Sequence, residues 1–183
     1  MATVATDLIT MKLDRLFAAT DTDSDGYVDW SDYQRLVDRY LSTYKIDKHD
    51  RRAHALLMSY QMQWVELLRH ANGADRLSKE QFQTAIRAVS VDTSRFNMVE
   101  GVPHAIFDIM DTDFDNTISK DEFGQYLKVW NISDPSALDT FFRLDTDGDG
   151  AISRHEFIRA VREFFYSPDP EAPGSLFFGS LSS

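Results

Sequence analysis

A short acidic pattern that occurs three times constrains this sequence more than any other feature. The pattern is D-x-D-x-D, then glycine or asparagine, any residue and an apolar residue, and its copies begin at Asp21, Asp111 and Asp145. Eleven residues after each start lies another carboxylate, followed directly by an aromatic residue. Copies that share a turn residue, an apolar position and a closing acid indicate repeats of one structural unit.

A weaker fourth copy can be aligned through its apolar residue Leu77 and its aromatic residue Phe82, which places its loop at residues 70–81. The loops that start at residues 21 and 70 are 49 apart, whereas those that start at 111 and 145 are 34 apart. We therefore predict a longer helical insert in the first half, around residues 44–63.

Apolar residues at helical spacing flank the loops, as at Leu13 and Leu16 before the first one. Asp134 followed by Pro135 is typical of a helix start and marks the helix that enters the last loop. Each unit is therefore predicted to be helix, loop, helix. The fold class is all-α, with four such units in two lobes, and residues 91–99 form a linker between the pairs.

The loops offer the ligands that calcium prefers. Calcium takes about six to eight oxygen atoms, and a twelve-residue loop supplies them from positions 1, 3, 5, 7, 9 and 12, position 7 through its backbone carbonyl. The second loop has no carboxylate at any of these positions and is predicted to stay empty. The predicted ligands are Asp21, Asp23, Asp25, Tyr27, Asp29 and Asp32 in the first loop, Asp111, Asp113, Asp115, Thr117, Ser119 and Glu122 in the third, and Asp145, Asp147, Asp149, Ala151, Ser153 and Glu156 in the fourth.

Two further loop positions have structural roles. Position 6 needs a positive φ, which Gly26 and Gly150 adopt freely and Asn116 adopts with a small strain. Position 8 is apolar in every copy and is predicted to join paired loops through a short antiparallel β bridge. The empty second loop would persist because its Leu77 has to meet Val28.

The first loop differs at its closing position. Asp32 is one methylene shorter than glutamate, so we predict that it offers fewer oxygens and that this loop discriminates less against magnesium, which needs six-fold geometry at shorter distance. Asp29 adds a fifth carboxylate that attracts any divalent ion, which leaves the net effect on affinity open. Asp32→Glu should strengthen the calcium preference.

Composition excludes several classes of function. With 30 acidic and 19 basic residues the net charge is -11, which disfavours nucleic acid and anionic membranes and favours hard cations. The absence of cysteine excludes disulfides, thiolate metal sites and cysteine nucleophiles. No export signal, membrane span or myristoylation signal is visible, so a cytoplasmic location is predicted. No nucleophile triad or Walker-type phosphate loop occurs, so an enzyme is not predicted.

Four units, a vestigial second loop, a first loop closed by aspartate and a long helix between the first two make the sequence resemble the sarcoplasmic calcium-binding protein and calerythrin-like group of the EF-hand superfamily. The resemblance covers nearly the whole chain, includes its Phe-rich end, and would suit a bacterial source. It implies two lobes packed together and a calcium buffer or transporter. We expect an N-terminal pair at 1–92, a C-terminal pair at 99–166 and an apolar tail at 167–183.

The tail carries Leu176, Phe177 and Phe178, which are costly to expose. We predict that they fold back into an apolar groove between the lobes; the alternative is a loose peptide that binds a partner. Two other functions stay open: a calcium sensor that exposes an apolar surface to a protein target, and a carrier of a luciferin-like small molecule. Six methionines are few for a sensor with a methionine-rich groove, and a monomer is expected.

Overall fold

The computed structural model describes residues 2–178, with side chains from residue 8 onward, so tail residues 179–183 lie outside the described part. Within it, the all-α prediction is confirmed. The α-helices are α1 (Ala2–Thr20), α2 (Trp30–Tyr44), α3 (Arg51–Leu68), α4 (Lys79–Val91), α5 (Gly101–Met110), α6 (Lys120–Val129), α7 (Thr140–Leu144) and α8 (Arg154–Tyr166). None of these described helices has the length and apolarity needed to cross a membrane.

Paired loops are joined by two-residue antiparallel bridges, as predicted. Val28 lies opposite Leu77, Ile118 lies opposite Ile152, and all four side chains are fully buried. The second loop therefore keeps its apolar contact with the first. The strands are β1 (Tyr27–Val28), β2 (Leu77–Ser78), β3 (Thr117–Ile118) and β4 (Ile152–Ser153).

Two helices differ slightly from the sequence expectation. The extra length of the first half is shared by two helices, since α2 has 15 residues against 10 in α6 and α3 has 18 against 10 in the matching stretch 135–144. Asp134 accepts a hydrogen bond from the Ser136 amide at the predicted helix start, but the first turn, Pro135–Asp139, is a 3-10 helix that leads into α7. A 3-10 turn of this kind is common at a helix N-terminus.

Buried hydrogen bonds connect α2 of the first half to α6 of the second. The Trp130 indole donates to the Tyr40 hydroxyl at 2.8 Å, and the Tyr44 hydroxyl donates to the Glu122 carbonyl at 2.7 Å. These bonds satisfy polar atoms that would otherwise be costly to bury. The apolar core is continuous across both halves.

The segment between the two loop pairs is part of that core. Its side chains Phe96, Met98 and Val99 are buried although the backbone from residue 92 to 100 forms turns. The segment thus contributes apolar side chains to the core instead of forming an exposed linker.

A buried lysine joins the first helix to the last. The Lys12 ammonium donates to the carbonyls of Glu163 at 3.0 Å and Ser167 at 2.7 Å, at the C-terminal end of α8. Burial lowers the pKa of Lys12 to about 8, against the opposing charges of Glu163 and Asp169. The cation lies where the helix dipole and free carbonyls favour positive charge.

The described part of the tail lies against α8. The 3-10 helix Pro173–Leu176 approaches so closely that a methyl group added at Gly174 would collide with the Ala160 carbonyl, and the Gly174 amide donates to the Glu163 carboxylate at 2.9 Å. Phe177 is buried, and Phe178 packs edge-on against the Trp130 ring.

Candidate metal centres

The helix that leaves each loop begins with a capping box. Loop position 9 is the N-cap residue, whose side chain accepts a hydrogen bond from the amide of position 12, and the position 12 side chain accepts one from the amide of position 9. The start of the helix therefore fixes the closing side chain of the loop. The pairs are Asp29 with Asp32, Ser78 with Gln81, Ser119 with Glu122, and Ser153 with Glu156.

Threonine at position 2 also holds the closing carboxylate, through both its amide and its hydroxyl. This role was not predicted from the sequence, although the dipeptide Asp-Thr opens all three acidic loops and is a visible signal. The bonds run from Thr22 to Asp32 (2.9 and 2.7 Å), from Thr112 to Glu122 (2.7 and 2.7 Å) and from Thr146 to Glu156 (3.0 and 3.1 Å).

The three acidic loops have the positive φ predicted at position 6 and a second positive φ that was not predicted. Position 6 has φ of 87° at Gly26, 64° at Asn116 and 90° at Gly150. Position 4 is also left-handed, and there the third loop has Phe114 at φ 61°. A bulky residue with positive φ is strained, so the third loop carries more backbone strain than Asn116 alone implied.

The aspartate at position 1 lies at the buried end of each acidic loop. Its carboxylate accepts the amide of position 6, with distances of 2.9 Å at Asp21, 3.0 Å at Asp111 and 2.9 Å at Asp145. Burial raises the pKa of Asp21 and of Asp111, against the lowering effect of these amide bonds. A divalent cation in the loop would favour the ionised form of both groups.

The closing carboxylates separate the three acidic loops into two kinds. In the third and fourth loops the closing glutamate offers an oxygen within 4.8 Å of those from positions 1 and 3, whereas in the first loop the gathered oxygens come from positions 1, 3 and 5. The gathered sets are Asp111, Asp113 and Glu122; Asp145, Asp147 and Glu156; and Asp21, Asp23 and Asp25.

Asp32 is instead held by a dense set of donors. Its Oδ1 accepts from Thr22 and from the Arg35 guanidinium at 2.7 Å, and its Oδ2 accepts from the Asp29 amide at 2.9 Å. Burial alone would raise the pKa of Asp32, but hydrogen bonds from Asp29, Thr22 and Arg35 lower it. Arg35 was not among the predicted site residues, and its signal in the sequence is a basic residue three positions after the closing acid.

The predicted ligands at positions 5, 7 and 9 are arranged in the same way in each acidic loop. The position 5 aspartate accepts the amide of position 7, which keeps the two adjacent, and the position 9 side chain caps the exit helix. The position 5 to 7 bonds join Asp25 to Tyr27 (2.9 Å), Asp115 to Thr117 (2.8 Å) and Asp149 to Ala151 (3.0 Å).

The second loop keeps the β bridge and the capping box without the ligands. Gln81 replaces the closing acid and accepts the Ser78 amide at 2.9 Å, and residues 70–81, all of them described, gather no metal-ligating cluster. The guanidinium of Arg76 lies 3.8 Å from the ring centre of Tyr27, which brings a cation beside the first loop.

The donor sets of the three acidic loops consist of carboxylate, hydroxyl and carbonyl oxygens, which suit a hard cation such as calcium or magnesium rather than a thiolate- or imidazole-seeking metal. Paired helix–loop–helix units with bridged loops and oxygen donors define a calcium-binding protein.

Comparison with known protein families supports this assignment to the calcium-binding proteins. The model of an EF-hand domain pair matches residues 104–162, and that of a single EF hand matches residues 13–37. All three acidic loops thus lie within segments that match the EF-hand family.

Its relatives include the two proteins of the predicted group. A sarcoplasmic calcium-binding protein of Perinereis vancaurica tetradentata is 27% identical over 96% of this chain and 99% of its own length. Calerythrin of Saccharopolyspora erythraea is 25% identical over 89% of this chain and 95% of its own length. The calcium-loaded apo form of a coelenterazine-binding protein from Renilla muelleri has the same fold, with a TM-score of 0.67 and 22% identity. The match covers 98% of this chain and 99% of that protein.

Proposed function

We propose that this protein is a monomeric, non-enzymatic, cytoplasmic calcium buffer that loads three ions. The predicted ligands of the first, third and fourth loops hold the ions, and the first loop accepts magnesium more readily than the others. Four features support this role: three acidic loops, a net charge of -11, no cysteine, and relatives that include a sarcoplasmic calcium-binding protein and calerythrin.

The observation that favours a buffer over a sensor is that Phe177 of the tail covers the apolar groove beside α8. A sensor must offer apolar surface to its target, and only a ligand with differential affinity for an open form would expose it. Here Phe177 already fills that surface, with its ring centre 6.1 Å from that of Tyr126 and 5.6 Å from that of Phe157. The chain thus supplies its own occupant for the groove.

The test is the fluorescence of an apolar dye during separate calcium and magnesium titrations, with stoichiometry measured in parallel. A buffer binds three calcium ions without a dye response above the background from Met58, Met62 and Val65, which are exposed on α3. A dye response to calcium but not to magnesium would instead indicate a sensor.

A pair of glycine variants checks the role of the tail. Gly174→Ala should detach the tail and raise dye fluorescence, because the added methyl meets the Ala160 carbonyl. Gly124→Ala is the control, since a methyl group there meets nothing within 4 Å. Equal dye signals in the two variants would show that the tail does not cover the groove.

A second candidate function is a small-molecule carrier, favoured by one observation. The Tyr33 hydroxyl is buried in an apolar cavity and has no hydrogen-bond partner among the described residues, although Gln63 lies beside it. The cavity volume is about 90 Å³, well below the roughly 300 Å³ at which ligand pockets begin. A luciferin-sized molecule would therefore have to displace Phe177 and Phe178, which makes the buffer the better-supported function.

Titration with coelenterazine, followed by quenching of tryptophan fluorescence, tests the carrier. If the cavity holds such a ligand through Tyr33, Tyr33→Phe should weaken binding about fivefold by removing one hydrogen bond. Absence of quenching at micromolar coelenterazine would reject the carrier and leave the buffer unaffected.

A further inference from the structure

A positive side chain lies among the predicted ligands of the first loop. Arg35, on α2, places its Nη2 atom 2.7 Å from Asp32 Oδ1 and 3.1 Å from Asp23 Oδ2, and its Nε donates to the Thr22 hydroxyl at 2.6 Å. One guanidinium thus spans loop positions 3 and 12. Because arginine keeps its charge at any physiological pH, a change of pH in that range does not remove the positive charge from the site.

The fourth loop provides an internal comparison. Its equivalent residue is Arg159, which also lies three positions after the closing acid but bonds to Glu163 at 3.1 Å, one turn along α8. On α2 the residue at the same spacing from Arg35 is Arg39, which offers no carboxylate, and the ion pairs of Arg35 go to Asp23 and Asp32 rather than to the exposed Asp38 three positions on. The same residue type therefore turns outward in one loop and into the ligands in the other.

The third loop has Gln125 at this position. In the part of the chain that the structure describes, no lysine or arginine pairs with a predicted ligand carboxylate of the third or fourth loop. The pairing is specific to the loop that closes on aspartate.

We propose that Arg35 is a tethered counter-ion that competes with divalent cations for Asp23 and Asp32 and sets the affinity of the first loop below that of the other two. This inference rests on the proposed function, since it concerns one of the three calcium sites. A cation that takes Asp23 and Asp32 must first displace the guanidinium from both carboxylates. The displaced charge then stays nearby on α2 and repels the bound ion.

The test uses backbone amides as separate reporters of two loops. The amides of Gly26 and Gly150 donate to the position 1 carboxylates of their own loops, both at 2.9 Å, so their NMR signals in glycine-labelled protein report each site. Arg35→Gln removes the charge and keeps polarity, and Arg159→Gln is the matched control. Arg35→Gln should lower the calcium midpoint of Gly26 about tenfold and leave Gly150 unchanged, whereas Arg159→Gln should leave Gly26 unchanged.

The outcomes separate the inference from the proposed function. An unchanged or higher Gly26 midpoint in Arg35→Gln overturns the inference alone. A Gly26 signal that titrates in neither protein overturns both. If only Gly150 fails to respond, three-site buffering is wrong, while a lowered Gly26 midpoint still supports the role of Arg35.

A measurement on the unaltered protein tests the proposal without depending on the folding of a variant. The side-chain Nε signal of Arg35 should shift in step with the Gly26 amide as calcium is added, because the guanidinium leaves the carboxylates. An Arg35 signal that stays constant while Gly26 titrates overturns the proposal.

Discussion

In the C-terminal pair of loops, Glu122 and Glu156 both join the gathered carboxylates, and neither is paired with a cation among the described residues. In the N-terminal pair, Asp32 is bonded to Arg35 instead, and the second loop closes on Gln81. Yet all four loops retain the capping box and the β bridge. The comparison teaches that the scaffold of a loop and its ligands are separable: the scaffold serves folding and persists after the ligands have gone.

The largest expected effect comes from breaking the scaffold of the ligand-free loop. Leu77→Ala should lower the free energy of unfolding by about 3 kcal/mol, because a fully buried leucine opposite Val28 leaves a cavity. Denaturant unfolding measures it, with the exposed Val91→Ala as a control expected within about 0.5 kcal/mol of the unaltered protein. A loss as small as that of the control would mean that the second loop is dispensable.

Removing the closing charge should affect the two pairs unequally. Glu156→Gln should weaken calcium binding at the fourth loop about a hundredfold, because it removes a carboxylate from the gathered set. Asp32→Asn should weaken the first loop less than about tenfold, since Asp32 is already neutralised by Arg35. Equal losses, read from the Gly150 and Gly26 amides, would contradict the distinction between the pairs.

Lengthening the closing acid of the first loop should make it more like the others. Asp32→Glu adds the methylene needed to reach the cluster, and we expect the calcium-to-magnesium preference of the first loop to rise about tenfold. Competition titrations of the two ions measure this ratio. An unchanged ratio would show that side-chain length does not set ion preference here.

The smallest expected effect concerns backbone strain in the C-terminal pair. Asn116→Gly should raise the free energy of unfolding by about 0.5 kcal/mol, because φ of 64° costs a non-glycine residue energy that glycine avoids. Gly150→Asn, the reciprocal change at φ 90°, should lower it by a similar amount. Thermal unfolding without calcium checks both, and a shift of the same sign in the two variants would rule out strain as the cause.

The repeat made the scaffold predictable because its signals are local. The bridge between Val28 and Leu77 follows from one apolar position per loop, and the start of the last entering helix follows from Asp134 and Pro135. The capping boxes and the threonine at position 2 were equally visible as short motifs, but their bonds to the closing carboxylate were not inferred.

Arg35 and Arg159 occupy the same position three residues after the closing acid, so that position alone does not tell which guanidinium bonds to the loop carboxylates. Other features depend on tertiary packing and had no local signal. The bond of Tyr44 to the Glu122 carbonyl and the burial of Lys12 join residues far apart in sequence. Such pairings become visible only when the helices are placed against each other.

The difference between the loop pairs is tested most directly by parallel calcium and magnesium titrations of the unaltered protein, followed at the amides of Gly26, Asn116 and Gly150. We expect all three to respond to calcium, with Gly26 showing the highest calcium midpoint and the smallest preference for calcium over magnesium. Saturation of Gly26 at the lowest calcium concentration, with the same ion preference as Gly150, would contradict an unequal first site.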